Sequence, residues 1–319
     1  MALVLREKQV RSLLSMRDTV GVLQNAFNAL AQEVALNQPR TRLRFANGTL
    51  NILAAVAPTF GVLGCKTYTA FRDGVRFVVL LFSVQNGQLL ALIEAEWLNA
   101  MRTGGTSALA THYLARQDAA IVGLIGAGQQ AVTQLMGMCA VRPISAAYVY
   151  SRRPQERDLF CREMTRLLKI DVKPVPLAKR AVEVADILIT ATPATEPVVQ
   201  GEWVKPGCHI NAIGSVWSHR RELDCATLQR CALIVTDSRE QASAEAGDFI
   251  IPANEGSFQW TRVRELAEIV STPLPPSRSP QDITLYKGVG IALADIVTAA
   301  HVYRLACEEG IGEEIAFLS

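Results

Sequence analysis

The spacing of hydrophobic and polar positions changes period twice along the chain. Between Ser15 and Leu30 the apolar residues Val20, Leu23, Phe27 and Leu30 recur on one helical face, and Ser15 with Asp18 three residues on forms a capping-box-like start. From residue 39 the period drops to two, with Arg40, Arg42 and Arg44 alternating with Thr41, Leu43 and Phe45. Asn47-Gly48, Asp73-Gly74 and Asn86-Gly87 then separate the runs TLNILAAVA, VLGCKTYTAFR, VRFVVLLFSVQ and QLLALIEA. Such pairs between strand-like runs are strong hairpin signals, so this stretch predicts an antiparallel meander of about five strands. VRFVVLLFS is apolar at both parities. One of its faces is therefore expected against helices and the other against a second sheet, that of another copy of the chain in a homodimer. Residues 97–116, WLNAMRTGGTSALATHYLAR, return to a helical pattern, and Gly104 and Gly105, costly inside a helix, signal close approach of something to its start.

The second change comes at Asp118. AAIVGLI, SAAYVYS, ADILITAT, CHINAIG and ALIVTDS are short apolar runs that read as buried strands, and Val132, Leu135, Met136 and Cys139 are the core stripe of an intervening helix. Alternating strands and helices predict a parallel, doubly wound sheet. STPLPPSRSP at 271–280 reads as a proline-rich surface loop, and Leu293, Ile296, Val297 and Ala300 mark a C-terminal helix.

Composition narrows the function. Of 319 residues 50% are hydrophobic, enough for a full core in about two domains. A net charge of +2 with acids and bases interspersed offers no basic stripe for nucleic acid. No apolar run approaches the ~18 residues of a membrane span, and MALVLREKQVRSLL is too charged too early for a signal peptide. Seven cysteines without a C-x-x-C argue for reduced thiols in a cytoplasm and against structural zinc. The four histidines have no metal spacing, and His112 and His301 read as packed or surface residues.

Candidate chemistry begins at VGLIGAGQQA, residues 122–131. Gly126, Gly128 and Ala131 form a G-x-G-x-x-A turn between a buried strand and an amphipathic helix, the context that makes this motif specific for a dinucleotide. Gly126 permits the tight turn. Gly128 lets the backbone, with Ala127, Gln129 and Gln130, reach the pyrophosphate at the helix N-terminus. The next strand should end on an acid if the adenine ribose is that of NAD. Ser151, Arg152 and Arg153 stand there instead, and a guanidinium can bind a 2′-phosphate bidentately, so NADP(H) is favoured and NAD(H) is the alternative.

Several segments together resemble one family: GCKTY at 64–68, MRTGGTSALATHYLA at 101–115, GLIGAGQQA at 123–131, INAIGSVWSHRREL at 210–223 and ITLYKGVGIALADIVTAAHVY at 283–303. They are similar to the ornithine cyclodeaminase/mu-crystallin family, which includes alanine dehydrogenases and ketimine reductases. The resemblance implies a dimer joined through its N-terminal sheets. It also implies a last helix that returns to the first domain. The expected fold class is α/β: a Rossmann doubly wound parallel sheet at 117–289, plus an N-terminal α+β domain at 1–116, completed by a C-terminal helix within 290–319, whose antiparallel sheet serves dimerisation and substrate binding.

By the same resemblance Lys66, Arg102 and a strand arginine, Arg42 or Arg40, gather the carboxylate end of a small amino- or imino-acid substrate. Thr103 would lie next to the cofactor, and Thr190, Thr192, Gly214, Ser215 and Lys287 are expected to contact it. The logic also stands alone, since fixing a carboxylate orients the reacting carbon and removes several kcal/mol of barrier. One departure matters. Cyclodeaminases carry an acid shortly after the glycine of NAIG, and here Val216 holds that position, with no Asp or Glu until Glu222. Valine cannot act as a general acid or base, which weakens ring-closing deamination of ornithine. Trp217 beside it either walls the pocket or covers the sheet end. The leading expectation is an NAD(P)H-dependent oxidoreductase acting on the C–N bond of a small amino or imino acid. A cyclodeaminase with bound NAD and a nucleotide-binding protein with little turnover are the rivals.

Overall fold

A computed structural model of the chain describes residues 1–272 and 279–316, so most of the proline-rich stretch at 271–280 lies outside the described residues. The chain divides into two compact units, Met1–Gly105 with Gly290–Ser319, and Thr106–Val289.

The first unit opens with β1 (Ala2–Leu5), α1 (Glu7–Leu13) and α2 (Met16–Ala31). Ser15 caps α2, its hydroxyl accepting from the Asp18 N–H at 3.2 Å. The meander follows as β2 (Leu36–Phe45), β3 (Gly48–Ala57), β4 (Val62–Phe71), β5 (Gly74–Ser83) and β6 (Leu89–Glu94). Phe45 pairs with Gly48 and Phe71 with Gly74, so two of the three Gly-bearing turns are tight hairpins. The sheet is larger and more mixed than the pattern alone predicts. β1 joins β6 in parallel, and β15 (Glu313–Ile315) joins β1, giving seven strands in the order β15-β1-β6-β5-β4-β3-β2. A four-residue run such as ALVL is too short to declare itself by periodicity.

One face of this sheet packs on α11 (Ala292–Glu309), and buried Leu53, Val79 and Ile93 share a row with Lys66 on that face. The opposite face carries Ile52, Leu63, Val78, Leu80 and Phe82, all partly exposed. α3 (Glu96–Leu114) leaves β6 with its first amides, those of Glu96 and Trp97, held by the Glu7 carboxylate. Gly105 is needed for packing: a Cβ there would lie 2.8 Å from both Leu23 Cδ1 and Thr19 Cγ2 of α2.

The second unit is an eight-stranded parallel sheet built from β7 (Ile121–Ile125), α4 (Gln129–Val141), β8 (Ala146–Tyr150), α5 (Pro154–Leu168), β9 (Asp171–Pro174), α6 (Ala178–Val184) and β10 (Ile187–Thr190). It continues through β11 (His209–Ala212), α7 (Cys225–Arg230), β12 (Cys231–Thr236), α8 (Arg239–Glu245), α9 (Gly247–Asn254), β13 (Val263–Glu265), α10 (Leu266–Ser271) and β14 (Ile283–Lys287). The order β13-β12-β14-β11-β10-β7-β8-β9 means that the chain winds outward from β7, then returns to lay β10 on the other side of it. That reversal opens a crevice at the carboxyl ends of β7 and β10, where doubly wound sheets bind ligands. Among the described residues no helix is long and apolar enough to cross a membrane, and no group of three or more His, Cys, Asp or Glu is placed to hold a metal.

Candidate active site

The crevice of the second unit is a cleft of about 560 Å³ lined by Gly126, Ala127 and Gly128, by Ser151, Arg152 and Arg153, and by the loop from Ala191 to Val198. Gly126 has φ +109°, and a side chain there would collide with the Ala191 carbonyl, so the turn needs glycine twice over. Gly128 is the N-cap of α4, and a Cβ on it would meet nothing within 4 Å. The open space before the α4 amides therefore fits a pyrophosphate, whose charge the helix end stabilises. Arg153 Nη1 is 2.7 Å from Glu156 Oε1 in the first turn of α5, and Glu156 also lines the cleft.

The other residues expected at the cofactor are placed differently from one another. Gln129 and Gln130 open α4 without lining the cleft. Thr190 is buried and donates its hydroxyl to Glu222 at 2.9 Å. Thr192, which does line the cleft, gives Glu222 both its N–H and its hydroxyl, at 2.7 and 2.8 Å, and Gly214 gives its N–H at 2.9 Å. One fully buried carboxylate thus ties the loop after β10 to the loop after β11. Lys287 stands behind the cleft lining and supports the loop after β11. It is fully buried, paired with Asp248 at 2.7 Å and donating to the Ser215 carbonyl at 2.7 Å, so its charge is neutralised inside the unit. Ser215 is itself buried. Val216 packs on the hydrophobic core of the second unit, and Arg220 lies over the Trp217 ring at 5.9 Å.

The first unit holds the other half of the chemistry. Lys66, 1% exposed, places Nζ 2.7 Å from Asp295 Oδ2 and 3.1 Å from Asn99 Oδ1. Arg102 Nε meets the other oxygen of Asp295 at 2.8 Å, and its Nη2 meets Asn99 Oδ1 at 2.6 Å. Asn99 and Arg102 lie one turn apart on α3, and Asp295 stands in the first turn of α11. A Cβ at Gly290, φ +77°, would strike the Arg102 guanidinium, so glycine lets the backbone pass it. Thr103, on the same turn of α3, donates its hydroxyl to the Asn99 carbonyl at 2.7 Å. The Tyr68 and Phe77 rings each lie 5.7 Å from Lys66 Nζ.

Which strand arginine joins this group is set by a bulge. The β2–β3 register shifts between Gln38 and Thr41, opposite Leu53, and Leu53 pairs with Lys66. Arg40 sits in that bulge. Its guanidinium reaches the Gly290 carbonyl at 3.1 Å and contributes to depressing the Lys66 ammonium. Arg42 Nε instead bonds Asn51 Oδ1 at 2.9 Å, and Arg44 is exposed. Burial, then the Arg102 charge, push the Lys66 ammonium down to about 7, with Asp295 pulling it back. Lys66 and Arg102 thus share a single carboxylate in a largely dry setting with the Arg40 charge close to Lys66, and the excess positive charge suits a substrate carboxylate.

Sequence reading missed Asp295, Asn99 and Glu222. Asp295 had a visible signal: an acid within the apolar helical run IALADIVTAAHV needs a buried cation, as Lys66 within its strand needs an anion.

With this geometry in view, the comparisons with known proteins agree. The model of the ornithine cyclodeaminase/mu-crystallin family matches residues 1–310, and the chain belongs to that family. A Delta(1)-pyrroline-2-carboxylate reductase of Bacillus cereus is 32% identical, the match covering 99% of this chain and 100% of that protein. The solved Delta(1)-pyrroline-2-carboxylate reductase of Thermococcus litoralis, in complex with NADH and L-proline, superposes with a TM-score of 0.95 at 38% identity over 98% of this chain and 100% of that one. An archaeal alanine dehydrogenase dimer with bound NAD gives a TM-score of 0.93 at 30% identity over 99% of both chains.

Proposed function

We propose that this chain is an NAD(P)H-dependent oxidoreductase that reduces the C=N bond of a small α-imino acid, cyclic or acyclic, to the amino acid, and runs the reverse. The observation that carries the reading is the buried group of Lys66, Asp295 and Arg102, whose shared carboxylate fixes both cations while Arg40 adds further positive charge. The bound nicotinamide supplies the hydride that the imine carbon accepts. Arg102 and Arg40 hold the substrate carboxylate, so the imine carbon has one orientation. Lys66 Nζ gives a proton to the imine nitrogen as it becomes an amine, and takes a proton back from solvent between turnovers. The Tyr68 and Phe77 rings flank the Lys66 ammonium.

Three finer points belong to the same proposal. Ser151, Arg152 and Arg153 at the end of β8 favour NADP(H). The partly exposed apolar face of β3, β4 and β5 favours a homodimer, because α11 covers only the other face. The location we propose is the cytoplasm, where seven unbridged thiols stay reduced.

The test is a screen of NADPH and NADH oxidation against a panel of cyclic and linear imino acids, with ammonia release from ornithine followed in parallel. Oxidation matched by amino-acid formation is expected. Brisk ammonia release without net change in the nicotinamide would give first place to a cyclodeaminase, a reading that Val216 opposes. Tight nucleotide binding with no turnover on any imino acid would leave a binding protein.

A further inference from the structure

We propose that Glu156 is a specificity-determining residue of the dinucleotide cleft, which by pairing with Arg153 makes the cleft accept both NADH and NADPH. The inference rests on the cofactor reading above and names what controls the choice.

Judged by sequence order, the acid at 156 lies past Pro154 and beyond the strand end, where it would not meet a ribose. The fold brings it back. Pro154 begins α5, so Glu156 falls in the first helical turn, where the helix dipole holds a carboxylate in place. Its side chain lines the same cleft as Ser151, Arg152 and Arg153, with Oε1 at 2.7 Å from Arg153 Nη1. The cleft wall therefore carries two guanidiniums and two carboxylates, of which Glu156 is the one paired with an arginine of the wall and Glu196 stands on the loop after β10. Arg152, exposed, has no carboxylate partner among the described residues.

Each cofactor meets a different half of this wall. A 2′-phosphate needs guanidinium donors and repels carboxylate. Arg152 can serve it at once, whereas Arg153, held through Nη1 by Glu156, brings that repelling carboxylate to the phosphate with it. The unphosphorylated ribose needs an acceptor for its hydroxyls, and the Glu156 carboxylate offers one. The pair is open to solvent, its side chains 76% and 58% exposed, so it is weak and opens readily. Neither cofactor is shut out, and Glu156 limits the preference that the two arginines would otherwise impose.

The test is equilibrium binding on the full chain by isothermal titration, with NADH and NADPH measured separately and no turnover required. For wild type the two dissociation constants should differ by no more than about tenfold. Glu156→Gln should tighten NADPH and weaken NADH, moving their ratio by roughly tenfold or more, because it removes a charge that repels the 2′-phosphate and leaves only a weaker, neutral acceptor for the ribose hydroxyls. Adding Arg153→Ala to that variant should cancel the NADPH gain, which a general change at the end of α5 would not do. An unchanged ratio in Glu156→Gln, with both cofactors still bound, overturns the inference and leaves the cofactor reading intact. So does a wild-type preference for NADPH above about a hundredfold. Failure of wild type to bind either dinucleotide overturns the cofactor reading itself and the inference with it.

Discussion

Lys66 carries the most demanding electrostatics in the molecule, because its ammonium is buried and pushed down to about 7. As proton donor in reduction it must be charged, so kcat/KM for the imino acid should fall as pH rises through about 7. The oxidative direction needs the neutral amine as base and should rise through the same range. Pre-steady-state rates at fixed cofactor saturation check both limbs. The effect on stability has the same sign as that of a carboxylate held below its ordinary pKa: stability rises with pH. The folded pKa lies below the unfolded value of 10.5, so the unfolded chain binds the extra proton between the two. The cost of burying the charged lysine is full below about 7 and is relieved as pH rises toward 10.5. Replacing Lys66 by Met should lower activity by about a hundredfold to ten-thousandfold and raise KM, while dinucleotide binding in the second unit survives in fluorescence titration. Asp295→Asn keeps the shape and removes the charge that pulls Lys66 upward, so the falling limb should move to lower pH, with about 3–5 kcal/mol lost from stability. A limb that stays in place would show that Asp295 acts only as a spacer. Lys66 and Arg102 were legible in the sequence through the family resemblance of GCKTY and MRTGG, and Lys66 also as a charge within an apolar strand. Asp295 posed the same puzzle, but nothing in the linear order pairs it with residues so far away.

Among the elements, the turn between β7 and α4 separates fold from function within three residues. Gly126→Ala forces an L side chain into φ +109° against the Ala191 carbonyl and should cost roughly 1–3 kcal/mol of stability, seen as a lower Tm by calorimetry. Gly128→Ala meets no protein atom within 4 Å, so its Tm should stay close to wild type. Its methyl group instead enters the space that a pyrophosphate would use, and dinucleotide affinity should drop about tenfold or more. Equal affinity in Gly128→Ala and wild type would place the phosphates elsewhere. This turn was legible because strand, glycines and helix are contiguous. The choice between Arg40 and Arg42 was not, because it depends on a bulge opposite Leu53, and a one-residue slip in a strand redirects side chains without any mark in the hydrophobic pattern. Glu222 was hidden for a related reason: its partners Thr190, Thr192 and Gly214 come from separate loops that meet only when the parallel strands align.

At the scale of the whole molecule, the sheet of the first unit has one face sealed by α11 and another that keeps Val78 and Leu80 partly exposed. In the homodimer proposed above, a second copy covers that face and buries the stretch from Val75 to Ser83. Leu80→Glu would place a charge in the middle of that contact, and sedimentation equilibrium at micromolar concentration should then read a monomer where wild type reads a dimer. A monomeric wild type would remove the dimer from the proposal. The unpatterned apolar run VRFVVLLFS announced this face in the sequence, since a strand buried on one side only would alternate. The strand at Ala2–Leu5 and the pairing of β15 with it went unannounced, because short strands at the two ends of a chain have no local partner to reveal them.

The return of Gly290–Ser319 to the first unit sets an order of birth. Translation delivers Lys66 and Arg102 early and Asp295 near the end. Until that carboxylate leaves the ribosome, the two cations have no anion to enter the dry interior with, and burying them alone is prohibitively unfavourable. The first unit therefore lacks its buried anion until the residues of the second unit, contiguous in the chain, have been made. Only with Asp295 can the group it forms with Lys66 and Arg102 close, so the substrate site is the last part of the molecule to be completed.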